Sequence, residues 1–564
     1  MAGGGRRPLQ TGCSPIPYGA AFSHPLTRSL FRKERERVSA GMIGRRGALA
    51  GAGAITLARP AVAQPARVLR MVPQANLASL DPIWSTANIT RNHGFMVYDT
   101  LYGLTADLQP TPQMAAGHSV EDDGRRVAIT LRDGLLFHDG EPVLAADAMA
   151  SLRRWMARNP FGQKLATVVD ELAADGDRRI VFRLSRPFPL LFHALAAVSI
   201  PAFIMPARIA ATDPFKQVDS AVGSGPFRFK RDEFNSGSLV VYERNPAYVP
   251  VDAPPSLTAG GKVAGFGRVE WRILSDAATA SAALQTGEVD WFEQPPPELQ
   301  TLLRRNRGVT VEAIGPLPNM GVLRLNHLHP PFNDPALRRA LLPAIEQADF
   351  MAAIVGTDPG MVLDRTGVFA PGTANASEAG LEPLLGPRSV DAARAAMREA
   401  GYTNQPMRLI GPTDILAPTA MTQVGADLFR RLNFNMDLAL SDWGTVIQRR
   451  ANREPLERGG WSALLTAFTA YDFVDPALHP LARGNGVQGW PGWPTIPRLE
   501  ALRDAWFDAG DDAVRTAICA DMQRVVVEDV AWVPVGGYVS NTALRRDLAG
   551  RVPGFAIFWG IRPG

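Results

Sequence analysis

Cysteine is nearly absent, with only Cys13 and Cys519 in 564 residues. That excludes a disulfide-stapled scaffold and a cysteine-rich metal site. Cys519 reads as a small buried hydrophobe within a helix. Histidine is sparse too: eight are scattered along the chain, and only His327 and His329 stand close together. That H-x-H precedes Pro330-Pro331 and reads as a solvated loop rather than a metal site. No apolar run reaches the length that a membrane-spanning helix requires, roughly 18 residues. Charge is not concentrated in the folded part. The net charge is +4, yet residues 1–46 alone hold nine basic residues against Glu34 and Glu36. The remainder is slightly acidic, so the basic patch of a nucleic-acid reader is missing.

Catalytic signatures are also missing. Gly260-Gly261-Lys262 lacks the glycine spacing and the hydroxyl of a phosphate-binding loop, and Gly223-Ser224-Gly225 has the wrong spacing for a nucleophile elbow. There is no H-E-x-x-H helix and no C-x-x-C pair. Acidic residues are abundant, but nothing selects a glycosidase-like carboxylate pair from them.

What remains is a folded globular composition, 46% hydrophobic and 20% charged, with 52 Gly and 47 Pro. The length calls for two or three domains. Residues 42–63 read as an export signal: Arg45-Arg46, a weakly apolar Ala/Gly run, and the small-residue site Ala61-Val62-Ala63 with cleavage after Ala63. The arginine pair and the glycine-diluted run resemble a twin-arginine signal. Residues 1–41 have no periodic pattern, and the expectation is a non-native extension ahead of a true start at Met42. No cysteine stands at the cleavage site, which argues against a lipid anchor.

The mature chain interleaves strands and helices, which predicts α/β layers. Strands are expected at 68–72, 180–184, 225–229, 239–242, 269–273 and 321–325. Helices are expected at 92–104, 145–158, 277–286, 335–347, 390–400 and 417–432. Val127, Ile129 and Leu131 alternate with polar residues, and Asp133-Gly134 predicts a hairpin turn returning through 135–137.

Several segments, in order, resemble the family 5 bacterial extracellular solute-binding proteins, the peptide- and nickel-type receptors of ABC importers. They run from Met114-Ala-Ala-Gly-His-Ser-Val-Glu-Asp-Asp-Gly and Phe137-His138-Asp139-Gly140 through Val222-Gly-Ser-Gly-Pro-Phe-Arg-Phe and Glu243-Arg-Asn-Pro-Ala-Tyr. They continue with Leu284-Gln-Thr-Gly-Glu-Val-Asp, Pro331-Phe-Asn-Asp-Pro-Ala-Leu-Arg-Arg-Ala-Leu, Asp391-Ala-Ala-Arg-Ala-Ala-Met and Asp442-Trp-Gly-Thr. Coverage is residues 66–564.

The resemblance implies a two-lobed periplasmic binding protein (Venus-flytrap) fold with an extra subdomain in lobe I. Lobe I would be 64–317 plus 537–564, with the subdomain near 97–220, and lobe II would be 318–536. Crossovers are expected near 316–319 and 533–537. It further implies capture of a small polar solute by lobe closure, an ABC permease and ATPase as partners, a monomer, and no cofactor, catalytic residue or protein-bound metal. Alternatives are a metal-chelate binder, such as one for a nickel complex, and an exported hydrolase.

By position, the resemblance places ligand contacts at Trp84, Ser85, Thr86 and Asn88, at Asp414, and at Tyr471 and Asp472. Asp472 would hold a peptide amino group. The 411–417 loop has Asp414 and no basic residue, so two acids in an aromatic cleft would suit a cationic ligand. Trp443, Trp461 and Trp490 are candidates to stack on it. His138 reads as a structural hydrogen-bonded residue.

Overall fold

Two mixed sheets and one antiparallel sheet organise residues 67–564, the part of the chain that the computed structural model describes. The extension at 1–41, Cys13, the signal at 42–63 and the cleavage site after Ala63 lie outside the described residues.

The first sheet has seven strands in the order Phe227–Phe229, Leu239–Arg244, Arg268–Arg272, Val68–Val72, Trp291–Phe292, Asn541–Arg545 and Val309–Ala313. Val68–Val72 pairs in parallel with the strands on both sides. Its Leu69 and Met71 are buried, as expected for a central strand covered by other layers. The second sheet has six strands in the order Val362–Leu363, Val533–Tyr538, Asn319–Leu325, Ala463–Thr469, Pro406–Pro412 and Asn435–Ser441. Each sheet is the centre of one lobe.

The chain crosses between the sheets through residues 314–318 and 539–540. The crossings are tied together where Ile314 N donates to Ser540 O at 2.9 Å and Asn319 Nδ2 donates to Ser540 Oγ at 2.8 Å. The strand Val533–Tyr538 belongs wholly to the second sheet, so the second crossing follows it.

The third sheet is a four-stranded antiparallel unit in the order Ala115–Glu121, Arg126–Leu131, Arg179–Leu184 and Val169–Asp175. Helix Ala145–Arg158 packs on it through Ala148, Leu152 and Trp155, spaced to share one buried face.

Three local expectations are corrected. The helix expected at 92–104 is Asn88–Val97, after which Asp99–Thr100 pairs with Phe203–Ile204 and Tyr102–Leu104 with Pro110–Pro112. Strand partners outweighed the helical spacing of Tyr98, Leu101 and Tyr102. The strand Arg126–Leu131 does not form a hairpin with 135–137; it lies between Ala115–Glu121 and Arg179–Leu184. Gly134 still adopts the left-handed turn conformation, at φ 74°. The helix expected at 335–347 splits into Pro335–Ala340, a tight turn at Leu342–Ala344 and Gln347–Val355. Pro343 has no N–H to continue the ladder. By contrast, Ala277–Thr286 and Ala145–Arg158 match their expected ranges.

Candidate ligand-binding site

The loop after the first strand is anchored from beneath by Asp81. Its Oδ1 accepts the N–H groups of Ile83 and Trp84, both at 3.0 Å, and its Oδ2 accepts from Val218 N at 2.9 Å. Arg154 of helix Ala145–Arg158 meets the same carboxylate at 2.5 Å, and both side chains are fully buried. A buried ion pair whose carboxylate also gathers backbone N–H groups holds a loop in one geometry. That loop leads to Thr86 and into helix Asn88–Val97.

The facing wall comes from the second lobe. The strand Pro406–Pro412 ends at Thr413-Asp414, and Asp414 Oδ1 accepts from Trp443 N at 2.8 Å. Asp442 caps helix Trp443–Arg449 by accepting from Thr445 N. Between these walls lie two adjoining spaces. An inner cavity of about 40 Å³ is bordered by Thr86, Asn88, Asn319, Arg450, Phe468 and Tyr538. An outer cleft of about 570 Å³ is bordered by Asp414, Asp442 and Thr413. Gln74, Gln294, Ile415 and Trp443 line both, so the two spaces share a wall.

Of the residues singled out in the sequence, Thr86 and Asn88 border the inner cavity and Asp414 the outer cleft. Trp84 and Ser85 border a side pocket of about 20 Å³ beside Trp443. Tyr471 and Asp472 border none of these three spaces, and both are buried. Asp472 Oδ2 accepts from Thr469 Oγ1 at 2.9 Å, and Arg91 donates to the same Thr469 hydroxyl at 3.3 Å. Burial pushes the Asp472 carboxyl up, and the Arg91 guanidinium opposes that shift. The expected pair of cleft-facing acids is therefore one acid in the outer cleft and one matched internally by an arginine.

Arg91 also faces Glu293. That carboxylate is buried, accepts from Gln74 N at 2.7 Å, and is pushed up to about 7, mainly by burial. Trp443 lines the cleft, Trp490 stacks on Arg450 at 4.9 Å, and Trp461 lies in the core with its Nε1 donating to Arg450 O. His138 is structural: its Nε2 is 3.1 Å from Gly225 O, its Nδ1 accepts from Gly223 N, and burial pulls it down to about 4. His329 Nε2 lies 2.8 Å from Arg453 O. Among the described residues, no group of three or more His, Cys, Asp or Glu is arranged to hold a metal.

The sequence profile of the bacterial extracellular solute-binding proteins, family 5 (middle region), matches residues 109–487. The chain belongs to this family. It is 34% identical over 535 residues to the probable peptide ABC transporter periplasmic-binding protein y4tO of Sinorhizobium fredii, covering 94% of this chain and 99% of that one. It is 24% identical over 525 residues to the glutathione-binding protein GsiB of Escherichia coli, covering 90% and 96%. The fold is similar to that of the dipeptide-binding protein of Pseudoalteromonas sp. SM9913 in complex with Met-Leu, with a TM-score of 0.72 at 20% identity, covering 88% of this chain and 100% of that one. The expected fold, two α/β lobes with a cleft between them, stands.

Sequence reasoning missed Asp81, Arg91, Arg154, Glu293 and Arg450. Each is an ordinary charged residue in the sequence, and its partner or its isolation arises only in three dimensions.

Proposed function

We propose that this family 5 solute-binding protein is the periplasmic receptor of an ABC importer, binding a small peptide-like solute between its lobes and presenting the closed form to a permease. The observation that carries this reading is the pair of adjoining cavities bordered by Thr86 and Asn88 from one lobe and by Asp414, Trp443 and Arg450 from the other. A solute touching both walls favours closure by its differential affinity for the closed form. Binding alone accomplishes this, so the chain acts as a receptor and not as an enzyme.

Within this reading, Thr86, Asn88, Asp414 and Trp443 touch the solute. Trp84 and Ser85 shape the wall beside it, and Tyr471 and Asp472 brace the loop behind it. The names of the y4tO and GsiB relatives support a peptide-like ligand. Export by the signal at 42–63, with cleavage after Ala63, and action as a monomer complete the proposal.

Native mass spectrometry of the protein purified from its own periplasm tests it. A single small mass, released unchanged on denaturation and raising the melting temperature when added back, is the expected result. A released mass that the protein converts on incubation would instead favour the hydrolase, and a metal-bearing mass the chelate receptor. Failure of every solute to bind would sink the receptor reading.

A further inference from the structure

Arg450 differs from the other deeply buried arginines. Arg154, Arg324, Arg338 and Arg503 each direct their guanidinium at between two and four protein oxygens. Arg91 has Asp472 and Glu293 near it. Arg450 is equally enclosed, at 8% exposure, yet its guanidinium has one protein acceptor, Thr86 Oγ1 at 3.1 Å. Among the described residues, no carboxylate lies within 4.0 Å of it, since the carboxylate pairs of the fold involve other cations. A guanidinium has five N–H groups, and none of those left over on Arg450 is sealed inside protein without a partner. They open on the inner cavity, where Arg450 is the one charged side chain among the lining residues.

The position is rigid. Arg450 N donates to Val446 O at 2.9 Å, its carbonyl accepts from Trp461 Nε1 at 3.0 Å, and its guanidinium lies over Trp490 at 4.9 Å. Burial lowers its pKa to about 10, which leaves it charged at neutral pH. Enclosing a cation without a counter-ion is costly, and the cost is offset when an anion arrives. A planar fork with free parallel N–H groups matches a carboxylate best.

We propose that Arg450 is the anchor for a ligand carboxylate, so that the solute enters with its acidic end at the inner cavity, against Thr86, and its other end toward the outer cleft. The outer cleft carries Asp414 and Asp442, which suit a positive group on a zwitterionic solute. This inference rests on the receptor reading and adds the charge and direction of the solute. It reverses the cationic preference expected from the acids in the sequence.

The test uses the full chain and a panel of dipeptides, each as free acid and as C-terminal amide, beside a small-molecule extract of the cells that produce it. Calorimetry and native mass spectrometry read binding to the wild type and to Arg450→Gln. The expected result is that a retained solute carries a carboxylate and that its amide binds at least about tenfold more weakly. Arg450→Gln should erase that acid–amide gap. Should that variant fold poorly, the acid–amide comparison on the wild type stands by itself, and Arg450→Lys, which keeps the charge but loses the fork, should show a smaller gap. Equal binding of acid and amide, a retained solute with no acidic group, or a gap that survives Arg450→Gln in a folded protein would each overturn the anchor while leaving the receptor intact. If no dipeptide and no component of the extract is retained at all, the receptor reading falls, and the anchor falls with it.

Discussion

Arg91 and Asp472 are joined through one hydroxyl: the guanidinium donates to Thr469 Oγ1 at 3.3 Å, and that hydroxyl donates to Asp472 Oδ2 at 2.9 Å. Arg91 comes from the helix of one lobe and Thr469 ends a strand of the other, so the bridge crosses between lobes. Removing the cation leaves two buried carboxylates, Asp472 and Glu293, without their match. Arg91→Met should therefore lower the unfolding free energy by about 3–5 kcal/mol in urea denaturation. Arg91→Met with Asp472→Asn should recover part of that loss. Additive effects in the double variant would show that the two charges are not coupled.

Glu293 gives the fold a pH dependence of defined sign. Its carboxyl rises from an ordinary 4.5 to about 7 in the folded protein, because burial disfavours the charged form. A group with a raised folded value contributes stability that is fully present below pH 4.5 and is lost as pH climbs through 7. The loss across that window is about 3 kcal/mol. Asp472, also raised, acts in the same direction. Glu293→Gln should flatten this part of the profile, so the variant gains on the wild type between pH 5 and 8, a window of about 3 units. Parallel profiles for the two proteins in thermal or urea melts would refute the assignment.

Gly223 is required by a close approach, not by a turn. A Cβ there would stand 2.0 Å from Val97 O, and Gly225 donates its N–H to that same carbonyl at 2.9 Å. The obstacle is backbone, which cannot rotate away. Gly223→Ala should cost about 1–3 kcal/mol through displaced packing, read as a lower urea midpoint. Gly117→Ala, where a Cβ meets nothing within 4 Å, is the control that should change little.

Much of the architecture was legible locally. Helix Ala277–Thr286 takes the range that was expected of it, and the structure shows what closes its ends, with Asp276 accepting from Thr279 N and Gly287 at φ 83°. Pairing was less legible. The alternation of Val127, Ile129 and Leu131 marks a strand without naming its partners, which lie on both sides at 115–121 and 179–184. The site was legible only by place. Thr86, Asn88 and Asp414 stand in loops or at a helix start that a two-lobed fold brings to a cleft, but the surroundings of Arg91 and Arg450 depend on residues hundreds of positions away. Asp472 reads as a free acid until Arg91 is beside it, and Arg450 reads as one basic residue in an exposed-looking stretch until Trp490 and Trp461 enclose it.

Asp81 and Arg154 offer a separate test of how the cleft is positioned. Neither residue borders the inner cavity or the outer cleft. The Asp81 carboxylate nevertheless holds the N–H groups of Ile83 and Trp84 as well as the Arg154 guanidinium, which binds the backbone oxygens of Thr212, Asp213 and Lys216. Asp81→Asn removes the charge while nearly preserving shape, and it leaves a buried cation with neutral partners only. The expected cost is about 3 kcal/mol of stability, together with weaker solute binding, because the loop leading to Thr86 loses its anchor. Arg154→Met should cost a similar amount, and the double variant should cost clearly less than the sum, as for any coupled pair. The solute affinity separates positioning from stability. At a temperature where each variant is fully folded, a displaced loop still weakens binding, whereas a purely structural pair leaves it at the wild-type value.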